Sequence, residues 1–598
     1  MIDPGRALGA AHQALQAGRL AEVRAMIDQV MRAAPAARGP ATHLLALVER
    51  RAGNVAAARR AFNQALSLIP SDPNLHNNHG NFLDSLGETE AAIAAYARAV
   101  RLKPDFADAQ ANLGIVAHAA GDVARARAAL ETAVRLNPAL ARAWSALGLL
   151  LRDLDEREAA AAAFDRALAL NPGLPRALAG RALVAAERGE PDADRRFRAA
   201  RAALPEDRGL LLSHTGVRLA VGAADALDEL RAAVAADPLW TEGQQTLAKA
   251  RFEAGEGLAA FDMLADAVSR HPRELALWMA LIQLEGAARP AADLRARVAE
   301  ARRHLPEAGI LEVAEAEFAL RDGDPEAGLP LLERIEGSAL PPGEPVARIG
   351  ARIAIRLRQP DRAARLLDQA RADLPALSAD MGLWGLTETA WRMAGDPRHD
   401  WLVGHAGLWR AHGLDLDPEA LDRIAAHLRT LHVRKAHPLD QSLRGGTQTE
   451  GTLFWRDTTE IRQLCDAIRQ AVTAHSQALP GVVAGHPTLG VAAERRGAWR
   501  FTGSWSVRLT GAGFHVAHVH PEGWLSSACY LALPDLTGED GQLVLGEPPA
   551  ELETGLGPLD RIEPAVGRLA LFPSWLWHGT RPFADGERMT VAFDVVPG

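Results

Sequence analysis

Three stretches of the chain superimpose when their apolar and polar positions are aligned: NNHGNFLDSLGETEAAIAAYARAVRLKP (77–104), QANLGIVAHAAGDVARARAALETAVRLNP (110–138) and WSALGLLLRDLDEREAAAAAFDRALALNP (144–172). Each reads as two amphipathic helices joined by a short turn. Gly80, Gly114 and Gly148 lie 34 residues apart, and prolines recur at intervals of 33 to 35: Pro35, Pro70, Pro104, Pro138, Pro172, Pro205, Pro238, Pro272, Pro306, Pro341 and Pro375. Each proline predicts the end of a second helix, because the ring removes a backbone donor and clashes with the preceding turn. Ala65, Ala99, Ala133 and Ala167 repeat as small residues that admit a close neighbour, and Phe62, Tyr96 and Phe164 are sized to fill the space between paired helices.

This pattern resembles the tetratricopeptide repeat, with about eleven copies marked by the eleven prolines. The best copies fall between residues 39 and 208; beyond them the glycines drift and only the proline register and apolar spacing persist. The resemblance implies an all-α solenoid over residues 1–400 whose concave surface holds a peptide or another protein. Asn78 and Asn112 occupy one repeat position on the first helix, where an amide can both donate to and accept from an extended backbone. They are the candidate partner-binding residues, although Ala46 and Ala146 interrupt the ladder and two solvated asparagines explain the same positions.

The helical pattern thins after about residue 400. Asp417-Pro418 reads as an N-cap followed by a proline at the first helical position, opening a helix over 419–432 and a second domain over 417–598. A polar, glycine-rich stretch, HPLDQSLRGGTQTEG (437–451), and a helix around 461–475 follow. Then come short runs of β character: WSVRL (505–509), SSACYLAL (526–533), GQLVLGE (541–547), GRLALFP (567–573) and RMTVAFDVV (588–596). Short strands separated by glycine and proline predict an antiparallel sandwich or barrel rather than a parallel α/β sheet.

Composition narrows the function. A net charge of −9 with no basic run excludes a phosphate-backbone footprint, so nucleic acid is not an expected partner. The first residues form no signal peptide and no apolar window is long enough for a span, so the expectation is a cytoplasmic protein without a membrane partner. Cys465 and Cys529 are the two cysteines, too few for a disulfide framework or a zinc knuckle. Any metal must be held by His and carboxylate.

The chemistry concentrates in HVAHVHPEGWLSS (515–527). On extended backbone His518 and His520 project to one face and His515 to the other. His578, after GRLALFPSWLW, is a third imidazole that intervening hairpins can return to the same mouth. Two histidines on one strand with a distant third suit Fe(II) with positions left open for substrate and oxygen. Arg588 follows ten residues later, with Thr590 on the same strand face.

The segments HVHPEGWLSS, GRLALFPSWLWHGTRPF and ERMTVAFD make the region 417–598 similar to the 2-oxoglutarate/Fe(II)-dependent oxygenases, and specifically to bacterial members preceded by tetratricopeptide repeats. The resemblance implies a double-stranded β-helix (jelly roll), with His518 as first-motif histidine, His578 as distal histidine, and Arg588 and Thr590 as the pair that grips the far carboxylate of 2-oxoglutarate. Fe(II), 2-oxoglutarate as cosubstrate, and O2 are implied with it, as is hydroxylation of an unactivated C–H bond. A guanidinium fork meets a carboxylate with two parallel charge-assisted bonds.

Position 520 departs from the commonest His-x-Asp/Glu motif. Either the metal set is His518, His520 and His578, or the pair slides two places and Glu522 supplies a carboxylate. Pro521 and Gly523 suit a turn leaving the strand, which favours the three histidines. A neutral triad would leave more positive charge on the iron. His515, Trp524, Trp575 and Trp577 read as packing residues, Arg508 and Tyr530 as either cosubstrate-facing or core polar groups, and Arg444 as an entrance residue or part of a turn. Two other functions compete with the oxygenase: a catalytically inactive barrel in a repeat-based interaction or scaffold protein, and a cupin-type enzyme without 2-oxoglutarate.

Overall fold

The computed structural model describes residues 3–337, 343–434, 437–439 and 441–598, so Pro341 of the proline series lies outside the described residues. The chain forms two compact units, 1–210 and 211–598.

The first unit is a run of helical hairpins. Its second helices, Val55–Leu68, Thr89–Leu102, Val123–Leu136 and Arg157–Leu170, each end two residues before Pro70, Pro104, Pro138 and Pro172. The residue before a proline is driven out of the helical region, which sets that offset. Ala65, Ala99, Ala133 and Ala167 are fully buried at 0% exposure, where a larger side chain would push the helices apart. The repeating glycines have the same cause. A Cβ on Gly80 would stand 2.6 Å from the Tyr96 ring and one on Gly148 2.8 Å from Phe164, so each glycine admits the aromatic of the facing helix.

The second unit opens with further helices, the last long one being Met381–Ala394 and the last short one Arg398–Val403. A nine-stranded antiparallel sheet follows: β1 (Arg410–Gly413), β2 (Leu443–Gln448), β3 (Arg500–His518), β4 (Leu525–Ala532), β5 (Leu543–Leu545), β6 (Asp560–Ile562), β7 (Arg568–Pro573), β8 (His578–Thr580) and β9 (Glu587–Val596). Its order is β1-β7-β4-β9-β3-β8-β5-β6, with β2 also paired to β3, and it curls into a nearly closed barrel. The expected fold class, an all-α repeat solenoid followed by a double-stranded β-helix (jelly-roll) domain, is the one observed, with helices packed on the outside of the barrel.

The long strand β3 closes the barrel. Its first half pairs with β9 (Val507↔Thr590, Leu509↔Arg588) and its end with β8 (His518↔His578). Between them the strand bends at Gly511-Ala512-Gly513, where Ala512 has φ +59°. A Cβ on Gly513 would lie 2.5 Å from the carbonyl oxygen of Gly445, so the bend needs glycine there to keep β2 in place. The helix Pro418–Leu431 starts where Asp417-Pro418 predicts, the Asp417 carboxylate accepting from the Ala420 N–H at 2.7 Å. It covers β4, while the helix Thr459–Ala478 covers β7 and β1. One apolar core joins these helices, the sheet and the helix Met381–Ala394.

Candidate metal centre

The inner surface of the barrel contains a cavity of about 550 Å³. His518 and His520 reach it from the end of β3 and the residues just past it, and His578 from the start of β8, which the β3–β8 register sets directly opposite His518. One nitrogen from each imidazole lies within 4.8 Å of the other two. The ring centroids are 4.2 Å apart for His518 and His578, 5.0 Å for His520 and His578, and 5.2 Å for His518 and His520.

Each ring is oriented through its other nitrogen. Nδ1 of His518 is 2.8 Å from the carbonyl oxygen of Val516, and Nδ1 of His578 is 3.0 Å from that of Leu576. Nδ1 of His520 lies 2.6 and 2.7 Å from the two carboxylate oxygens of Asp594. Because a carbonyl or carboxylate can only accept, Nδ1 carries the proton in all three, and each Nε2 presents a lone pair. The Ser442 hydroxyl stands 3.2 Å from Nε2 of His518, as a donor to that lone pair.

Electrostatics keep His518 and His578 neutral. Burial, followed by the neighbouring His520, pushes the His518 pKa down to about 3. Burial, with His518 and then His520 adding repulsion, holds His578 well below the ordinary histidine range. Three imidazoles whose Nε2 atoms converge fit a divalent first-row transition metal such as Fe(II) and leave its remaining positions open. Glu522 lies outside the cluster, exposed in the turn that follows β3.

Strand β9 supplies the opposite wall. By the period-2 alternation of a strand, Arg588, Thr590, Ala592 and Asp594 all face the cavity. The Arg588 side chain is 1% exposed, and its Nε has no hydrogen-bond partner. Among the described residues no carboxylate pairs with it, and burial pulls its pKa down from the ordinary arginine value. Its guanidinium sits 5.1 Å from the centroid of the Tyr530 ring, and the buried Tyr530 hydroxyl also lacks a partner. The cation and the hydroxyl act on each other, and with Nε and the hydroxyl both lacking a well-formed hydrogen bond the pair fits an anion with several acceptor oxygens. Thr590, 3% exposed, lines the same wall.

The remaining candidates separate from this site. Arg508 pairs with Glu587 outside it, its Nε 2.5 Å from the carboxylate. Arg444 donates to the carbonyls of Gln441 and Leu443 and lines an adjacent cavity across β3. His515 is the exception: it lines the same cavity beside Thr580, with Nδ1 3.3 Å from that hydroxyl and its ring centroid 6.1 Å from that of His518. Trp575 and Trp577 are buried in the core, each with its indole N–H bonded. In the first unit, the Asn78 amide nitrogen is 3.0 Å from Nε2 of His43. Asn112 donates to Asn77 and Asn81 at 2.9 and 3.1 Å and accepts from Arg142 at 2.6 Å. Both amides thus have partners within the chain.

Asp594 and Ser526 are site residues that the sequence reading missed. The Ser526 hydroxyl donates to Asp594 at 2.6 Å and so fixes the carboxylate that fixes His520. A signal was available: Asp594 is six residues past Arg588 on a strand, hence on its face, and is the lone acid within the otherwise apolar run VAFDVV.

Family comparisons agree with this geometry. Residues 503–594 match the family model described as "Putative 2OG-Fe(II) oxygenase", and residues 80–121, 107–140 and 141–173 match tetratricopeptide-repeat models. No curated protein matches the chain in sequence. Among solved structures, the MamA protein is 24% identical, covering 29% of this chain and 95% of its own, with a TM-score of 0.26. YrrB, described as a TPR protein with an unusual peptide-binding site, is 24% identical over 31% of this chain and 95% of its own, with a TM-score of 0.28. Pseudomonas aeruginosa pilF is 20% identical over 38% and 96%, with a TM-score of 0.30, and scores this low establish nothing further. With repeat models matching within residues 80–173 and the "Putative 2OG-Fe(II) oxygenase" model matching 503–594, the chain carries tetratricopeptide repeats and, over the segment that bears His518, His520 and Arg588 together with His578, a C-terminal domain similar to that oxygenase family.

Proposed function

We propose that the protein is a 2-oxoglutarate- and Fe(II)-dependent oxygenase, a hydroxylase acting on a peptide or protein. The observation that carries this reading is one cavity wall holding an unpaired buried guanidinium, Arg588, opposite three imidazoles whose Nε2 lone pairs converge. His518, His520 and His578 would hold the metal. Arg588, with Tyr530 and Thr590 beside it, would grip the far carboxylate of 2-oxoglutarate.

Bound Fe(II), 2-oxoglutarate and O2 would supply the oxidising chemistry, with succinate and CO2 as coproducts. The chain's own contribution is placement. Nδ1–H bonds to Val516, Asp594 and Leu576 keep the three rings in the metal-binding tautomer, so no proton need leave an imidazole for a metal to bind. The Asp594 carboxylate places a negative charge one ring away from a triad that has none of its own. The buried Arg588 loses little on meeting a carboxylate, because its desolvation is already complete in the folded chain. Apolar neighbours such as Phe572, whose ring lies 4.7 Å from that of His578, exclude water from the metal's flank.

The repeats support a recruitment role through their fold; Asn78 and Asn112 could join it only by exchanging their present partners for a peptide backbone. Incubation of the whole chain with Fe(II), 2-oxoglutarate and O2, without added substrate, tests the reading. Slow succinate formation that disappears in His578→Ala is expected. Absence of succinate, with iron bound, would favour an interaction protein with an inactive barrel.

A further inference from the structure

We infer that the last long helix before the barrel, Met381–Ala394, is a positioning wall of the metal centre, so that docking of this helix and binding of metal favour one another. The inference rests on the three-histidine reading above.

The helix touches both ligand-bearing segments and does so from behind. Just past His520, the carbonyl oxygen of Pro521 accepts the backbone N–H of Met381 at 3.1 Å. Immediately before His578, the Trp577 indole N–H donates to the carbonyl oxygen of Gly385 and to the Thr389 hydroxyl, each at 3.0 Å. Alternation along extended backbone turns Val519 away from His518 and His520, and Trp577 away from His578, which puts these two side chains on the helix side. Gly385 is the point of closest approach. A Cβ there would stand 2.9 Å from the Trp575 carbonyl oxygen, 3.2 Å from Cγ1 of Val519 and 3.3 Å from the Trp577 ring.

Thr389 is fully buried, its hydroxyl also donating to Gly385 at 2.9 Å, so the Trp577 indole N–H is enclosed by two acceptors that are tied to each other. An indole N–H drawn away from both acceptors loses its hydrogen bonds together, so a tilt of the helix pulls on Trp577 and on the imidazole joined to it. His518 and His520 are held by the same helix through Val519 and Pro521. At Gly385 the ligand segments cannot approach the helix further, and a shift away breaks a hydrogen bond. Linkage then makes the effect reciprocal: whatever the docked helix adds to metal affinity, bound metal adds to helix docking.

Titration of the whole chain with Co(II) alone, read by calorimetry, tests this. Gly385→Ala and Trp577→Phe are expected to bind Co(II) roughly tenfold more weakly than the unmodified chain, the loss typical of disturbed outer partners of a metal site. Trp384→Phe is the matched control. It removes an equivalent indole bond, to the Ser378 carbonyl at 2.9 Å, on the same helix but away from the ligand strands, and should leave the affinity unchanged. Hydrogen exchange on the unmodified chain supplies an independent reading, with the amides of 381–394 expected to exchange several-fold more slowly once Co(II) is bound. Unchanged affinity in both folded variants, or exchange indifferent to Co(II), overturns the inference while leaving the metal site intact. An unmodified chain that binds no Co(II) overturns the metal reading and this inference with it.

Discussion

The Asp594 carboxylate accepts a hydrogen bond from Nδ1 of His520 with both oxygens, at 2.6 and 2.7 Å, and so connects strand β9 to the residue proposed as the third metal ligand. Asp594→Asn keeps an acceptor but removes the charge, whereas Asp594→Ala removes both. Anaerobic Fe(II) dialysis should give a weakening of about tenfold for Asn and closer to a hundredfold for Ala, the range seen for outer partners of metal-bound histidine. Equal affinity in all three forms would show that the carboxylate does not act through His520.

Arg588 makes an opposite pair of demands on the fold and on the cosubstrate. An unpaired buried guanidinium costs folding free energy, so Arg588→Met should raise the thermal midpoint of the ligand-free protein. In the unmodified chain, 2-oxoglutarate added to the metal-loaded protein should raise the midpoint further by mass action, and in Arg588→Met that further rise should vanish while the rise from metal alone persists. A variant less stable without ligand, yet still stabilised by 2-oxoglutarate, would place the anion elsewhere.

The acid side of the stability profile should depend on His475. This ring is 1% exposed, and burial, with His412 next in effect, pushes its pKa down to about 3. The unfolded chain, with an ordinary histidine pKa of about 6.5, binds the proton more readily, so stability is lost as pH falls from about 6.5 toward 3. Between pH 7 and pH 5 this one residue should contribute a loss of roughly 2 kcal/mol. Urea titrations of the unmodified protein and of His475→Leu at the two pH values check it: the variant should show the smaller drop.

A test confined to the first unit is available at Gly80. Its Cβ position lies 2.6 Å from the Tyr96 ring, so Gly80→Ala forces the helix pair apart at a cost of about 1–3 kcal/mol. Urea unfolding should register that loss, and Fe(II) affinity should not change, because the stress falls within one repeat interface.

The repeats were legible because one packing problem is solved many times. The glycine, the alanine and the proline of each copy answer the same steric demand, and repetition turns weak preferences into a period. The barrel was legible in part. Runs such as RMTVAFDVV lie within strands, but β2 occupies LRGGTQ, which reads as a loop because its residues are set by the approach of β3 at Gly445 and Gly513 rather than by strand propensity. The three-residue β8 carries too little pattern to be seen at all. At the site, the i, i+2 spacing of His518 and His520 is local information, whereas the bond between Asp594 and His520 spans 74 residues and exists only after β3 and β9 have paired. The amides of Asn78 and Asn112 illustrate the converse: equivalent repeat positions suggested an outward-facing ladder, and their neighbours His43, Asn77, Asn81 and Arg142 engage them instead.

The central claim is that the three imidazoles and Arg588 form one composite site, and coupled binding without oxygen measures that directly. The affinity for 2-oxoglutarate is determined by anaerobic dialysis with and without saturating Fe(II), and the affinity for Fe(II) with and without saturating 2-oxoglutarate. The account predicts that each ligand tightens the other by the same factor, that His578→Ala abolishes the coupling through loss of iron, and that Arg588→Ala abolishes it while iron remains bound. Binding of 2-oxoglutarate at one affinity whether or not iron is present would contradict it.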